Sequence, residues 1–242
     1  MIKRNYYKIV RIFPDPSSYF YIKNETMNRF DLGYNDSWLG TVNLEYSFDK
    51  VNWRRFAGTY IPADGYMYLR NTSGTFCTSE YTQVLYPNGN ISLGGDIRTL
   101  FNYTDVESVT KIPDYGFSQT FSMQNDAKIT DISNLSFRGI TEIGNYGLSF
   151  TFAWSHIGTK GVDLRDVTTL GESALGNLYY ENSTITEVYA PNVSEWDTYK
   201  TSQWLDGVAP TGVVYKPSTL TIPINTQSGI PYGWTTQDYP TE

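Results

Sequence analysis

Two closely similar stretches stand out in the pattern of apolar and polar positions along this chain. Residues 109–121 read VTKIPDYGFSQTF and residues 140–152 read ITEIGNYGLSFTF, so seven of the thirteen positions are identical. The same register continues from two further anchor residues, Val167 and Val193, which gives spacings of 31, 27 and 26 residues between successive anchors. A period of this size indicates stacked repeat units, the alternative being coincidence among Thr-rich turns.

Each unit combines a strand pattern with a short helix pattern. The segments before the anchors, such as residues 129–137 (ITDISNLSF), alternate apolar and polar positions as a half-buried strand does. Asp114 and Asn145 stand five residues after their anchors and are residue types that cap a helix N-terminus. Large apolar residues eight and twelve positions after each anchor would then share one helix face. We therefore expect units of one strand plus one short helix, stacked so that neighbours cover each other's apolar faces.

Residues 1–98 follow a different pattern. Alternating stretches such as 41–48 (TVNLEYSF) and 66–71 (YMYLRN) are separated by turn residues, which is typical of an antiparallel sheet or a β-sandwich. The stretch 47–53 (SFDKVNW) is similar to the Ser-x-Asp…Trp hairpin of Asp-box proteins, in which the Asp caps a tight turn. The predicted fold class is α+β, with a β-sandwich-like domain over 1–98 and a repeat solenoid with a C-terminal cap over 99–242.

Composition and charge restrict the classes of partner. The 242 residues include 18 Lys and Arg against 25 Asp and Glu, a net charge of −7, whereas phosphate binding needs a basic surface. No apolar run of about 18 residues is present, and residues 1–13 lack the apolar core of a secretory signal. We therefore expect no nucleic acid, no membrane span and synthesis in the cytoplasm. The eight Asn-x-Ser/Thr sequons are then interpreted as chance.

The residues needed for catalysis or metal binding are few. His156 is the one histidine and Cys77 the one cysteine, whereas a zinc site needs three or four such ligands. The carboxylate pair Asp163 and Asp166 would suit a glycosidase only if the two faced each other across a cleft. We expect no catalytic residues, no metal and no cofactor, with a glycoside hydrolase as an alternative.

Aromatic residues are the one chemical excess, at 16% of the chain with 21 tyrosines. Tyr and Trp provide large, rigid contact area and are enriched at protein interfaces, although they also serve as core filler. Residues 1–13 are basic and aromatic, and they predict either an arm that docks onto a neighbouring subunit or an ordinary edge strand. The candidate arm residues are Tyr6, Tyr7, Ile9, Ile12 and Phe13, and the candidate aromatic contact surface consists of Trp154, Tyr179, Tyr180, Tyr199 and Trp204.

Three stretches of the second half resemble BspA-like leucine-rich repeat proteins. Residues 185–193 (ITEVYAPNV) are similar to the strand-to-loop phrase of that family, residues 140–148 (ITEIGNYGL) to its following phrase, and residues 228–234 (SGIPYGW) to its closing strand. The resemblance covers residues 105 to 242 and departs from the pattern at Trp196 and Lys200, in the unit interpreted as a cap.

The resemblance, taken with the N-terminal β-domain, implies a protein of gut bacteria and their phages. The expected function is a structural or adhesive virion protein, as capsid decoration, head fibre or tail fibre component. Its expected partners are other virion or surface proteins, further copies in a dimer or trimer, and a host-surface glycan. A bacterial cell-surface adhesin or glycan-binding module is the alternative.

Overall fold

The computed structural model describes residues 19–26, 30–34, 44–56, 59–72, 85–87, 89–122, 128–224 and 227–240. These residues form mostly sheet with very little helix. The strands are β1 (Phe20–Asn24), β2 (Phe30–Tyr34), β3 (Glu45–Ser47), β4 (Arg54–Arg55), β5 (Thr59–Ile61), β6 (Tyr66–Arg70), β7 (Leu85–Pro87), β8 (Ile91–Asp96), β9 (Lys111–Ile112), β10 (Ile129–Ser136), β11 (Glu142–Ile143), β12 (Lys160–Asp163), β13 (Thr169–Leu170), β14 (Glu187–Tyr189), β15 (Gly212–Lys216) and β16 (Trp234–Asp238). Helix α1 covers Thr99–Asn102, and a 3₁₀ turn covers Val106–Ser108.

The largest sheet joins the two halves of the chain. Its strand order is β10-β8-β1-β6-β3-β4, in which β1 pairs antiparallel with β6 and β8, and β8 pairs parallel with β10. A second sheet, β5-β2-β7, is antiparallel. The antiparallel pairing predicted for residues 1–98 is confirmed in both sheets. The domain boundary at 98/99 and the sandwich arrangement stay predictions. The strands β8 and β10, which lie on either side of that boundary in the chain, pair within one sheet.

Parallel strands from successive units stack in two further sheets. In the sheet β13-β11-β9, Glu142 pairs with Lys111 and Thr169, which lie 31 residues before it and 27 after it. These separations equal the first two spacings of the sequence repeat. The sheet β12-β14-β15-β16 continues the same parallel pairing to the C-terminal strand.

The prediction of a short helix in each unit is wrong. Residues 114–121, 145–154, 172–181 and 202–207 form runs of consecutive turns. In the first three runs about every second N–H group bonds to a carbonyl of the next unit. Tyr115 N–H donates to the Asn145 carbonyl (2.8 Å), whereas the next N–H donates locally, to Pro113 (3.0 Å). An α-helix would need every such donor for its own i−4 carbonyl. Positive φ angles at Tyr146 (55°) and Phe150 (53°) are also incompatible with a right-handed helix.

The polar residues predicted as helix caps instead connect neighbouring units. Asp114 Oδ1 accepts a hydrogen bond from the N–H of Asn145 (2.9 Å), and Asn145 Oδ1 accepts one from the N–H of Glu172 (2.8 Å). Each side chain therefore satisfies a backbone donor one unit further along the chain. As in a helix cap, a side-chain oxygen accepts a backbone N–H, but here the N–H belongs to the next repeat.

A row of aromatic rings forms the centre of the core. Phe121 stacks on Phe20 (ring centroids 5.8 Å apart) and on Phe152 (5.9 Å), and Phe152 stacks on Tyr179 (6.1 Å). Phe20 lies in the large sheet and the other three rings lie in the turn runs, so one continuous core passes between them. All four rings are buried.

The C-terminal segment closes the far end of the stack. The Trp204 indole N–H donates to the Gly229 carbonyl (2.8 Å), and the Trp234 indole donates to the Ala209 carbonyl (2.7 Å). Both indole rings are buried. Residues 228–234 thus cover apolar surface that the last unit would otherwise expose.

The hairpin that is similar to an Asp box has the predicted turn. Asp49 Oδ1 accepts hydrogen bonds from the N–H groups of Val51 (2.9 Å) and Asn52 (2.7 Å) and from the Ser47 hydroxyl (2.8 Å). The hydrogen bonds from Asn52 and Val51 hold the pKa of Asp49 well below its usual range. The capping role predicted for this Asp is confirmed, and it is structural.

Candidate binding surface

The outer face of the large sheet carries aromatic and polar side chains. Along β1 and β6 the side chains alternate, so that Phe20, Ile22, Met67 and Leu69 are fully buried and the residues between them are accessible. The accessible residues of these two strands are Tyr21, Lys23, Tyr66, Tyr68 and Arg70.

Tyr21, Tyr66 and Tyr68 form a group that we call the tyrosine cluster. The rings of Tyr66 and Tyr68 are parallel (7°) with centroids 6.0 Å apart, as expected for residues two apart on one strand face. Tyr21 meets them edge-on, at 5.3 Å and 68° from Tyr66 and at 6.2 Å and 69° from Tyr68. The cluster therefore presents aromatic faces in two orientations.

The ring of Tyr21 lies over the backbone of β8. Tyr21 is paired with Gly94, where a Cβ atom would stand 2.3 Å from the Tyr21 Cζ and hydroxyl oxygen. Burial and the neighbouring Tyr66 raise the pKa of Tyr21, and a hydrogen bond with the Asn134 side chain opposes this rise. Asn134 on β10 thus connects the tyrosine cluster to the next part of the face.

Two lysines border the tyrosine cluster, and one of them is paired with a carboxylate. Lys50 Nζ lies 4.5 Å from the centroid of the Tyr68 ring, within cation–π range. Lys23 Nζ forms an ion pair with Glu25 (2.9 Å), whose other oxygen accepts a hydrogen bond from Ser92 (2.6 Å). The cluster is therefore bordered by both donors and acceptors.

A groove of about 490 Å³ lies between β10 and β12, which belong to different sheets. Residues 133–138 line one side, and Asp163, Arg165 and Asp166 line the other. Arg165 holds the Asp163 carboxylate (Nη2–Oδ2 2.8 Å), and Asp166 Oδ2 accepts the N–H of Gly139 (2.8 Å). The two carboxylates considered for a glycosidase thus bind separate donors of their own chain.

A second pair of tyrosines lies beyond the groove. Tyr189 on β14 and Tyr215 on β15 stack with ring centroids 4.7 Å apart, and the Arg165 guanidinium lies 5.2 Å from the Tyr189 ring. Glu187 accepts a hydrogen bond from the Tyr189 hydroxyl (3.2 Å) and forms an ion pair with Lys160 (3.1 Å). We call the tyrosine cluster, the groove and this pair together the outer face.

The candidate contact surface named from the sequence is not assembled as expected. Tyr179 and Trp204 are buried, each 1% exposed, because both side chains are core residues of the stack. Trp154 and Tyr180 are half-buried and pack edge to face (5.4 Å), while Tyr199 is 83% exposed. The prediction that Tyr179 and Trp204 belong to the contact surface is therefore wrong.

The other candidate residues are an isolated histidine and residues that lie outside the described ranges. His156 is exposed at the end of a turn run. The arm residues Tyr6, Tyr7, Ile9, Ile12 and Phe13 and also Cys77 lie outside the described residues. Within the described ranges, no group of three or more His, Cys, Asp or Glu side chains could hold a metal ion. The described segments also contain no helix of the length and apolarity needed to cross a bilayer.

Comparison of the chain with protein-family models, with curated proteins and with solved structures gave no match. The outer face is therefore interpreted from its own geometry. The outer face was not predicted from the sequence, because Tyr21 and Tyr66 are far apart in the chain and only the pairing of β1 with β6 brings them together. The available signal was the alternation in FYIKN and YMYLR, which places tyrosine and charged residues on one side of each strand.

We expect Tyr189 to make stability sensitive to alkaline pH. Burial and the adjacent Glu187 raise its pKa to about 12, whereas an unfolded tyrosine ionises near pH ~10. Because the folded pKa is the higher one, the contribution of Tyr189 is complete below the unfolded pKa and is lost as pH rises towards 12. The urea midpoint of the wild type should fall more steeply with pH over this interval than that of Tyr189→Phe. The exposed Tyr199→Phe serves as control, and equal slopes for all three proteins would contradict the assignment.

Proposed function

We propose that this chain is a structural or adhesive protein of a bacteriophage virion, which makes its contacts through the outer face. The observation that carries the proposal is the arrangement of five tyrosines and paired charged groups along one side of stacked strands. Interfaces are enriched in such rigid aromatic side chains, and a sheet holds them more firmly than a loop would. The place in the particle is capsid decoration, head fibre or tail fibre.

The construction of the scaffold supports a structural role. Backbone hydrogen bonds run from unit to unit through the turn runs, for example from Phe152 N–H to the Leu178 carbonyl (3.0 Å). The aromatic row gives the units a common core. We assign the repeat region to the BspA-like leucine-rich repeats on the phrases in residues 140–148 and 185–193, with turn runs in place of the helices of that pattern.

The proposed partners are other virion proteins, further copies of the chain in a dimer or trimer, and a glycan of the host surface. A bacterial cell-surface adhesin would use the same outer face and differs only in where the protein is found. A glycoside hydrolase is less well supported, because Asp163 and Asp166 are held by Arg165 and by the Gly139 N–H.

The content of purified particles tests this proposal. In phage particles isolated from a lysate that contains this gene, we expect the chain at a constant copy number relative to the major capsid protein. Quantitative mass spectrometry of density-gradient fractions measures that ratio. Recovery of the chain in the cell-envelope fraction, with none in the particles, would refute the virion assignment and favour the surface adhesin.

A further inference from the structure

We infer that the outer face binds an extended, uncharged polysaccharide, which lies across the strands from the tyrosine cluster over the groove to Tyr189 and Tyr215. This inference rests on the proposed function and names the ligand class of the same face.

The aromatic rings at both ends of the face fit the apolar side of a sugar ring. The C–H groups on one face of a pyranose pack against an aromatic ring, while its hydroxyls remain free for hydrogen bonds at the ring edge. Tyr66 is 40% exposed, so a ligand can reach it. The steep angle between Tyr21 and the parallel rings of Tyr66 and Tyr68 provides two faces against which a sugar can pack.

The groove supplies the polar contacts that hydroxyl groups require. Ser133, Asn134 and Ser136 line it from one side, and Asp163 and Arg165 line it from the other. Hydroxyl, amide, carboxylate and guanidinium groups together offer donors and acceptors at close intervals. The groove volume of about 490 Å³ lies within the roughly 300–1,000 Å³ typical of small-molecule sites.

The charge of the face favours an uncharged ligand. The whole chain carries a net charge of −7. Along the outer face, by contrast, basic and acidic side chains are equal in number and several are already paired, such as Lys23 with Glu25 and Lys160 with Glu187. An anionic polymer would find no surplus of positive charge there. Among the described residues, the charged side chains of the face are Lys23, Lys50, Arg70, Arg138, Lys160 and Arg165 against Glu25, Glu45, Asp131, Asp163, Asp166 and Glu187.

The length of the face indicates a polymer. From β6 to β14 the path crosses β1, β8, β10 and β12. Four of its steps join hydrogen-bonded strands and correspond at ~4.8 Å each to about 19 Å, and the fifth crosses the groove between the two sheets. A single sugar would cover one ring only. A chain of several sugars can contact the tyrosine cluster, the groove and the second tyrosine pair at once, and such multiple contacts raise affinity.

Affinity electrophoresis with neutral polysaccharides tests the inference. The probes are dextran, mannan, mixed-linkage glucan, xylan and arabinogalactan, with polygalacturonate as the anionic comparison. We expect at least one neutral polymer to retard the protein, and its oligosaccharides to bind at least tenfold more tightly than its monosaccharide. The double variant Tyr66→Ala/Tyr68→Ala should weaken polymer binding at least tenfold.

Two further variants locate the site. Tyr199→Ala removes an exposed tyrosine that belongs neither to the groove lining nor to the two tyrosine groups, and we expect unchanged binding. Tyr189→Ala/Tyr215→Ala should weaken binding of the polymer more than binding of a disaccharide, because a disaccharide cannot reach both ends of the face. Near-UV circular dichroism and the urea midpoint check that each variant is folded.

Three outcomes would overturn the inference: no neutral polymer retards the protein, the tyrosine variants bind as the wild type does, or only polygalacturonate binds and salt abolishes its binding. These outcomes are separate from the test of the virion role. A chain that is present in particles but binds no neutral glycan disproves the ligand class alone. A chain that binds a neutral glycan but is confined to the cell envelope disproves the virion role alone.

Discussion

Gly171→Ala is expected to lower the free energy of unfolding by about 4 kcal/mol, as a sum of overpacking and a lost hydrogen bond. A Cβ atom at Gly171 would stand 2.5 Å from the Asn145 backbone nitrogen and 2.6 Å from the Gly144 carbonyl carbon. Both atoms belong to the backbone of the preceding unit, so no side-chain rotation can make room. The units would have to separate at this point.

The separation would also break the polar connection between units. Asn145 Oδ1, which accepts the N–H of Glu172, would lie 2.7 Å from the added methyl group. Gly144 occupies the same position one unit earlier, and a Cβ atom there would lie 2.4 Å from Asp114 Oδ1 and 2.7 Å from the Asp114 nitrogen. The glycine that follows Ile143 and Leu170 is therefore required by the close approach of neighbouring units, and Gly144→Ala should be similarly damaging.

Gly158→Ala is the matched control for this prediction. The nearest atom to a Cβ at Gly158 is the Thr130 carbonyl oxygen at 3.2 Å, with no other atom close by. We expect a change of less than ~1 kcal/mol for this variant, because only this one atom is close and it has to move by no more than a few tenths of an ångström. Urea unfolding followed by tryptophan fluorescence measures all three variants. Equal midpoints for Gly171→Ala and Gly158→Ala would show that the units are not packed as closely as described.

The sequence predicted the repeat spacing correctly but not the conformation within each unit. The separations of 31 and 27 residues follow from the apolar positions of the strands, which any stacked arrangement preserves. Apolar residues four apart, such as Leu148 and Phe152, satisfy a helix face. The same spacing of apolar residues is equally compatible with a run of turns in which every fourth residue has a positive φ, as at Tyr146, Phe150 and Trp154. Nothing in the residue types at these positions distinguishes the two, because none of them is glycine.

The error at Tyr179 could have been avoided from the sequence alone. Tyr179 occupies the same repeat position as Phe121 and Phe152, both of which are core residues. Its hydroxyl accepts a hydrogen bond from the Val162 N–H (2.7 Å), so a buried tyrosine fits where phenylalanine would leave a donor unpaired. For the tyrosine cluster, the alternation of each strand shows which side its tyrosines take, but only the strand register places Tyr21 beside Tyr68.

Asn182→Ala is expected to lower the free energy of unfolding by about 3 kcal/mol, since a buried polar group left without a partner costs ~1–3 kcal/mol and a further hydrogen bond is lost. Asn182 is fully buried. Its Oδ1 accepts the N–H of Ile157 (3.1 Å), and its side-chain amide donates to the carbonyl of Phe152. Alanine removes both contacts at once and leaves the Ile157 N–H inside the core without this acceptor, while the Phe152 carbonyl keeps the N–H of Ser155 (3.3 Å).

The same contacts give Asn182 and Thr184 a structural role, while the interpretation of the sequons as chance stays a prediction. Thr184, the third residue of the sequon, donates its hydroxyl hydrogen to the carbonyl of Ile157, so the Asn and the Thr of Asn-x-Thr both bond to the preceding unit. Asn192 belongs to another sequon but is exposed, and Asn192→Ala should change stability by less than ~0.5 kcal/mol. Urea midpoints of the two variants give the comparison. If Asn182→Ala were as stable as Asn192→Ala, the buried amide would not connect the units.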